Sequence, residues 1–125
     1  MDDASRAQPT PRSDAPLDGR QLTRLAKRAA LGLARTGSTA RHGSGDFMLA
    51  FSTANVIPHY PKDPRYSLTH FADTHLSPLI TATVEATEEA ILNALTMATT
   101  VTGRDNHRIE AIDLARLKTL LSGAR

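Results

Sequence analysis

The seven prolines of this 125-residue chain fall into two groups of three and one single, and they decide where regular structure can form. Pro9, Pro11 and Pro16 crowd the first stretch. Proline has no N–H for a sheet ladder and clashes inside a helix. Residues 1–16 therefore read as a flexible arm. Pro58, Pro61 and Pro64 fall within residues 56–76, with both tyrosines and three of the five histidines. That stretch reads as a long irregular connection, a kind of segment usually functional or disordered. Pro78 follows Ser77, which suits a helix start with a hydroxyl N-cap and proline at the first position. Regular structure is left to residues 17–55 and to the stretch after Pro78.

Hydrophobic spacing fills in those stretches. Leu22, Leu25, Ala26, Ala29 and Leu33 recur on one face of a helix over residues 17–35, with Arg20, Arg24, Lys27 and Arg28 mostly on the other. Asp18 suits its N-cap and Gly37 its stop. Residues 36–46 form a Gly-rich loop. Residues 47–55, FMLAFSTAN, have the length and apolar density of a buried strand, although weak alternation also allows a buried helical turn. A second helix is expected from about Pro78 to about Thr100, with Ile80, Val84, Ile91, Leu95 and Ala98 as its apolar face and Gly103 beyond its end. RDNHRIEAI reads as a turn and an extended piece. Asp113 then caps a short last helix, LARLKTLL, closed by Gly123.

Composition narrows the function classes. The absence of Cys excludes disulfides, thiolate metal sites and a Cys nucleophile. A formal charge of +2 implies no polyanion partner by itself. No apolar run approaches the roughly 20 residues that cross a bilayer, so no membrane partner is expected. The polar opening MDDASRAQPT does not read as a signal peptide, and the cytosol is the expected location.

Four constellations could carry chemistry. In His42-Gly43-Ser44-Gly45-Asp46 a hydroxyl and a carboxylate two positions apart can face one cavity from a strand edge. A hydroxyl can relay a proton and a carboxylate can orient it. The same residues also suit a Gly-rich turn in which Asp46 caps backbone amides. They form neither a nucleophile elbow nor a phosphate-binding loop. Arg20, Arg24, Lys27, Arg28, Arg35 and Arg41 make a basic stretch that could meet phosphates, or form a solvated face. Few aromatics are present for base stacking, so nucleic acid is not the expected partner. His59, His70, Asp73 and His75 include zinc-ligand types, in no compact ligand spacing. Glu85, Glu88, Glu89 and Asn93 could do acid–base work or simply form a polar helix face.

Several segments in series resemble one family. DAPL, QLTRLAKRAALGLARTGS, GSGDFMLAFSTAN, ATVEATEEAILNAL and TTVTGRDNHRIEAI are similar, in order and approximate spacing, to the β-chain of DmpA/BapA-type aminopeptidases, the L-aminopeptidase/D-esterases and β-peptidyl aminopeptidases. The similarity runs from about residue 14 to the C-terminus. It implies a precursor that cuts itself into an α- and a β-chain. It implies an N-terminal Ser nucleophile that releases N-terminal amino acids from peptides, amides or esters. It further implies a supporting Ser and acidic residue, which match Ser44 and Asp46. Family members form a four-layer αββα sandwich, assemble into oligomers and need no metal or other cofactor.

The departure from that pattern lies upstream of DAPL. The family's nucleophile opens an apolar strand there, whereas this chain has SRAQPTPRS. Ser5 stands at about the right distance, with four residues before it and prolines after it. The expectation is an α/β chain representing a fragment of the sandwich, mostly helical with one strand. Residues 17–125 would form a partial β-chain-like domain without its nucleophile or its α-chain partner. Helix faces deprived of their sheet would expose apolar surface and favour marginal stability or a homo-oligomer.

Overall fold

The computed structural model describes residues 11–123. They fall into two compact units, one ending at Glu88 and the other beginning at Glu89. The expected arm lies largely outside the described residues. Its last part, residues 11–16, is tied to the first unit.

The first unit begins with strand β1 (Arg12–Ser13), paired in parallel with β2 (Phe51–Ser52) in the register Arg12 to Phe51 and Ser13 to Ser52. The amides of Phe51 and Thr53 donate to Pro11 and Ser13 carbonyls at 3.2 and 2.9 Å. The Ser52 hydroxyl donates to the Ala15 carbonyl. Proline is tolerated beside this ladder because Pro11 contributes only its carbonyl.

Helix α1 spans Gly19–Arg35, as the spacing predicts. Its start is a reciprocal capping box. The Gln21 amide donates to the Asp18 carboxylate at 2.7 Å, and the Asp18 amide donates to Gln21 Oε1 at 3.2 Å. Its end follows the glycine rule: Gly37, at φ +98°, donates its amide to the Ala34 carbonyl at 3.0 Å. The buried stripe is Gln21, Leu25, Ala29 and Gly32. It is offset from the expected face, whose members Leu22, Ala26 and Leu33 are only half-buried.

The expected strand over residues 47–55 is a correction. Only Phe51–Ser52 pair, and Phe47 and Leu49 are 66% and 64% exposed. The apolar run has the composition of a buried strand, but among the described residues it has only a two-residue partner.

Helix α2 spans Ser77–Thr96, four residues shorter at its end than expected, and runs across the boundary between the units. A short 3-10 turn, Asp73–His75, leads into it. Leu76 lies almost fully buried with Leu17 and Leu25, and Leu79 and Ile80 pack against this cluster. Farther along, α2 buries Thr83, Val84 and Thr87. A Cβ built on Gly32 would lie 2.5 Å from the Val84 carbonyl oxygen and 2.7 Å from the Thr87 Cβ. The two helices touch backbone to backbone here, and glycine is what lets them. Thr83 and Thr87 turn their hydroxyls back to the Leu79 and Thr83 carbonyls at 2.8 and 2.7 Å, so neither presents an unsatisfied polar group to the contact.

The second unit contains the end of α2, a hairpin of β3 (Val101–Thr102) and β4 (Arg108–Ile109), and helix α3 (Leu114–Gly123). Asp105 and Asn106 take left-handed φ values of +56° and +58° at the hairpin turn, a conformation short Asx side chains tolerate. Asp113 accepts the Arg116 amide at 3.0 Å and caps α3 as expected. Among the described residues from Glu89 on, none is buried. Met97, Val101, Ile109, Leu120 and Leu121 are all more than half exposed.

Candidate functional site

The Ser44 segment is built by a tight turn. The Ser44 amide donates to the Arg41 carbonyl at 2.9 Å, and Gly43, at the third position, has φ +92°. A type II turn requires that positive φ, and glycine supplies it without strain. Ala40 precedes the turn at φ +45°, which an alanine adopts only at some cost. The Ser44 hydroxyl donates to Asp46 Oδ2 at 3.1 Å. The structure thus brings together the two residues singled out in the sequence. Ser44 is exposed and Asp46 half-buried. Five positions after Asp46 the chain enters β2, so the pair stands at the incoming end of that strand.

Such a pair can orient a hydroxyl and stabilise a proton passing through it. Lowering a barrier for acyl transfer also calls for a water-excluding wall and oxyanion donors, which an exposed turn does not supply.

The other constellations are put to structural use. Asp73 accepts two hydrogen bonds from the Arg20 guanidinium, at 2.6 and 2.8 Å. It also accepts Gln21 Nε2 at 2.9 Å and Arg24 at 3.2 Å. Arg35 donates to Glu88 at 3.1 Å. Arg20, Arg24 and Arg35, half of the basic stretch, are therefore paired with carboxylates. Asp73 does not join its neighbouring histidines in a metal site, and no group of three or more His, Cys, Asp or Glu among the described residues is placed to hold a metal ion. No helix among them is long and apolar enough to cross a membrane.

The hydrogen bonds from Arg20, then from Gln21, hold the Asp73 carboxyl well below the usual carboxylate range. A depressed folded-state value stabilises the fold above the unfolded value, near 3.9, and that contribution is lost as pH falls below about 4. Acidification from pH 5 to pH 3 is therefore expected to lower the melting temperature more in the unmodified protein than in Asp73→Asn. Parallel losses in the two would remove Asp73 as the cause.

Three features escaped the sequence reading. Gln21 is fully buried and donates to the Phe71 carbonyl at 2.7 Å. Its signal was legible, since Asp18 and Gln21 have capping-box spacing. Gly32 carried a fainter signal as a mid-helix glycine in line with Leu25 and Ala29. Asn55 clamps the base of the long connection, donating to the Thr69 carbonyl at 2.9 Å and accepting the Thr69 amide at 3.1 Å. Nothing local in the sequence announced that pairing.

Known proteins resemble this chain over most of its length. Residues 12–109 match the model of peptidase family S58. The β-peptidyl aminopeptidase BapA of Sphingosinicella xenopeptidilytica is 44% identical over 109 residues, which is 84% of this chain and 27% of that protein. A solved protein of Pyrococcus horikoshii OT3 superposes with a TM-score of 0.80 at 50% identity, covering 90% of this chain and 32% of its own. The L-aminopeptidase D-Ala-esterase/amidase of Ochrobactrum anthropi superposes with a TM-score of 0.79 at 37% identity, over 89% of this chain and 32% of that one. That enzyme is described as a prototype for the serine aminopeptidases and a new variant among the Ntn hydrolase fold. The chain spans about a quarter of the length of the curated relatives it matches. With α1, α2, the β1–β2 ladder and the Ser44 turn lying within the matched region, this chain belongs to peptidase family S58.

Proposed function

We propose that Ser44 and Asp46 are the supporting pair of a serine aminopeptidase site acting on peptides or amino-acid amides and esters. The observation that carries this reading is the Ser44–Asp46 hydrogen bond at 3.1 Å inside the matched family region. Ser5, at about the sequence distance of the family's nucleophile, lies outside the described residues.

The 125 residues alone are read as inactive. Two-residue ladders are not self-sufficient sheets, and parallel strands are normally covered on both faces. The missing layers of an αββα sandwich, an α-chain partner and oligomeric assembly would supply that cover. A cytosolic location and the absence of any cofactor belong to the same reading. The purified chain is expected to hydrolyse no amino-acid p-nitroanilide or β-peptide. Turnover that Ser5→Ala abolishes would overturn the claim of inactivity. Co-expression with the preceding portion of the Sphingosinicella enzyme is expected to restore turnover, and Ser44→Ala to lower kcat in that complex with little change in KM. Unchanged kcat would remove Ser44 from the site.

A second reading is a non-catalytic subunit that binds a separate chain, favoured by the exposed apolar residues of the second unit. It predicts a stable complex that never turns over substrate.

A further inference from the structure

Residues 56–75 are all exposed, and the first buried residue after them is Leu76. Two kinds of side-chain contact hold this excursion. At its start the Asn55 amide group pairs with both backbone groups of Thr69, at 2.9 and 3.1 Å. At its inner end Asp73 is gripped by Arg20 and Arg24, while Gln21 holds the Phe71 carbonyl. The Phe71 amide also donates to the Pro16 carbonyl at 3.0 Å. The contact at the start is neutral and needs only Asn55. The inner contact combines solvent-exposed ion pairs from Arg20 and Arg24 with neutral bonds from the buried Gln21 and to Pro16.

We propose that Val56–His75 is a strap with two latches of different chemistry, opening from α1 at the ionic latch while α1 and α2 stay packed. No apolar side chain in the strap is buried, Phe71 being the most covered of its large ones at 38% exposed, so its opening exposes less apolar surface than parting the helices at Leu25, Ala29 and Val84. Its opening free energy therefore sits below that of the helix pair. The ionic latch weakens with salt because its charges face water. The Asn55 latch carries no charge and does not respond in that way. The strap is thus a segment whose attachment can be tuned separately from the fold beneath it. This inference does not depend on the proposed activity.

The test is residue-resolved amide hydrogen exchange on the full chain, in low salt and in 1 M sodium chloride. The probes are the Phe71 amide at the inner latch, the Thr69 amide at the Asn55 latch, and the α1 amides of Leu25 and Ala29. High salt is expected to speed Phe71 exchange roughly fivefold while leaving Leu25 and Ala29 unchanged. Asp73→Asn is expected to reproduce that pattern in low salt. Asn55→Ala is expected to speed Thr69 exchange and leave Phe71 protected. If Phe71 and the α1 amides rise together, or if salt leaves Phe71 unmoved, the strap is no separate unit and the proposal fails. The salt arm uses the unmodified chain, so it stands even where a variant does not fold.

Discussion

Gly32→Ala is expected to destabilise the first unit by about 2 kcal/mol, a fall in melting temperature of roughly 10 °C. Two opposing effects set the sign. Alanine is the better helix former in a helix interior, by about 1 kcal/mol. Against this, the new methyl carbon would stand 2.5 Å from the Val84 carbonyl oxygen and 2.7 Å from the Thr87 Cβ. The first of these is backbone, so no rotamer change relieves it. The Glu88 amide nitrogen, 3.1 Å away, closes the remaining direction. The helices must separate or slide, which also loosens the packing of Ala29 and Val84. Overpacking of this kind commonly costs about 1–3 kcal/mol, and a contact with backbone belongs at the upper end.

Gly19→Ala supplies the control. Gly19 is the first residue of the same helix, and nothing lies within 4 Å of a Cβ built there. That substitution is expected to leave stability unchanged or raise it slightly. Urea unfolding followed by helix signal compares the two. If Gly32→Ala unfolds at the same urea concentration as Gly19→Ala, the close helix contact is not present in solution.

The helices were legible because their signals are local. Asp18 and Gly37 mark the ends of α1 in the sequence, and the structure uses both. Asp113 does the same for α3. Ser44 and Asp46 were legible as a pair for a similar reason. They are two residues apart, and the glycine between Arg41 and Ser44 that the turn needs is visible in the chain. What could not be read depends on partners far away in sequence. FMLAFSTAN is apolar enough for a buried strand, but burial requires neighbours, and β1 pairs with only two of its residues. The α1 stripe is displaced toward Gln21 because Phe71 and Asp73, some fifty positions later, give that amide its partners. Spacing alone ranks Gln21 as polar and assigns it to water.

The relation between fold and site follows from the same contrast between local and distant contacts. The Ser44–Asp46 pair is formed by contacts within three residues, so it needs no distant element to form. A pocket for substrate needs walls from distant elements, and the exposed turn that carries Ser44 has none among the described residues packed over it.

Gln21 offers the second large effect. Its side chain is fully buried and bonds in three directions: to the Asp18 amide, the Phe71 carbonyl and the Asp73 carboxylate. Gln21→Leu keeps most of the volume but strands the Asp18 amide and the Phe71 carbonyl. A buried polar group left without its partner costs about 1–3 kcal/mol. Both stranded groups lie near the surface, where water recovers part of that, so a net loss of about 2–3 kcal/mol is expected. Gln21→Glu separates hydrogen bonding from packing. The carboxylate can still accept from the Asp18 amide, but it cannot donate to Phe71, and it brings a second negative charge against Asp73. It is expected to be less stable than Gln21→Leu at pH 7. Burial and Asp73 both raise the pKa of the introduced carboxyl, so protonation restores a donor as pH falls toward 5. Gln21→Glu should then regain stability relative to the unmodified protein between pH 7 and pH 5, above the range in which Asp73 loses its own contribution. Urea midpoints at the two pH values decide the matter. A Gln21→Glu protein that is as stable as the unmodified one at pH 7, or that gains nothing on acidification, would show that Gln21 is not buried against Asp73.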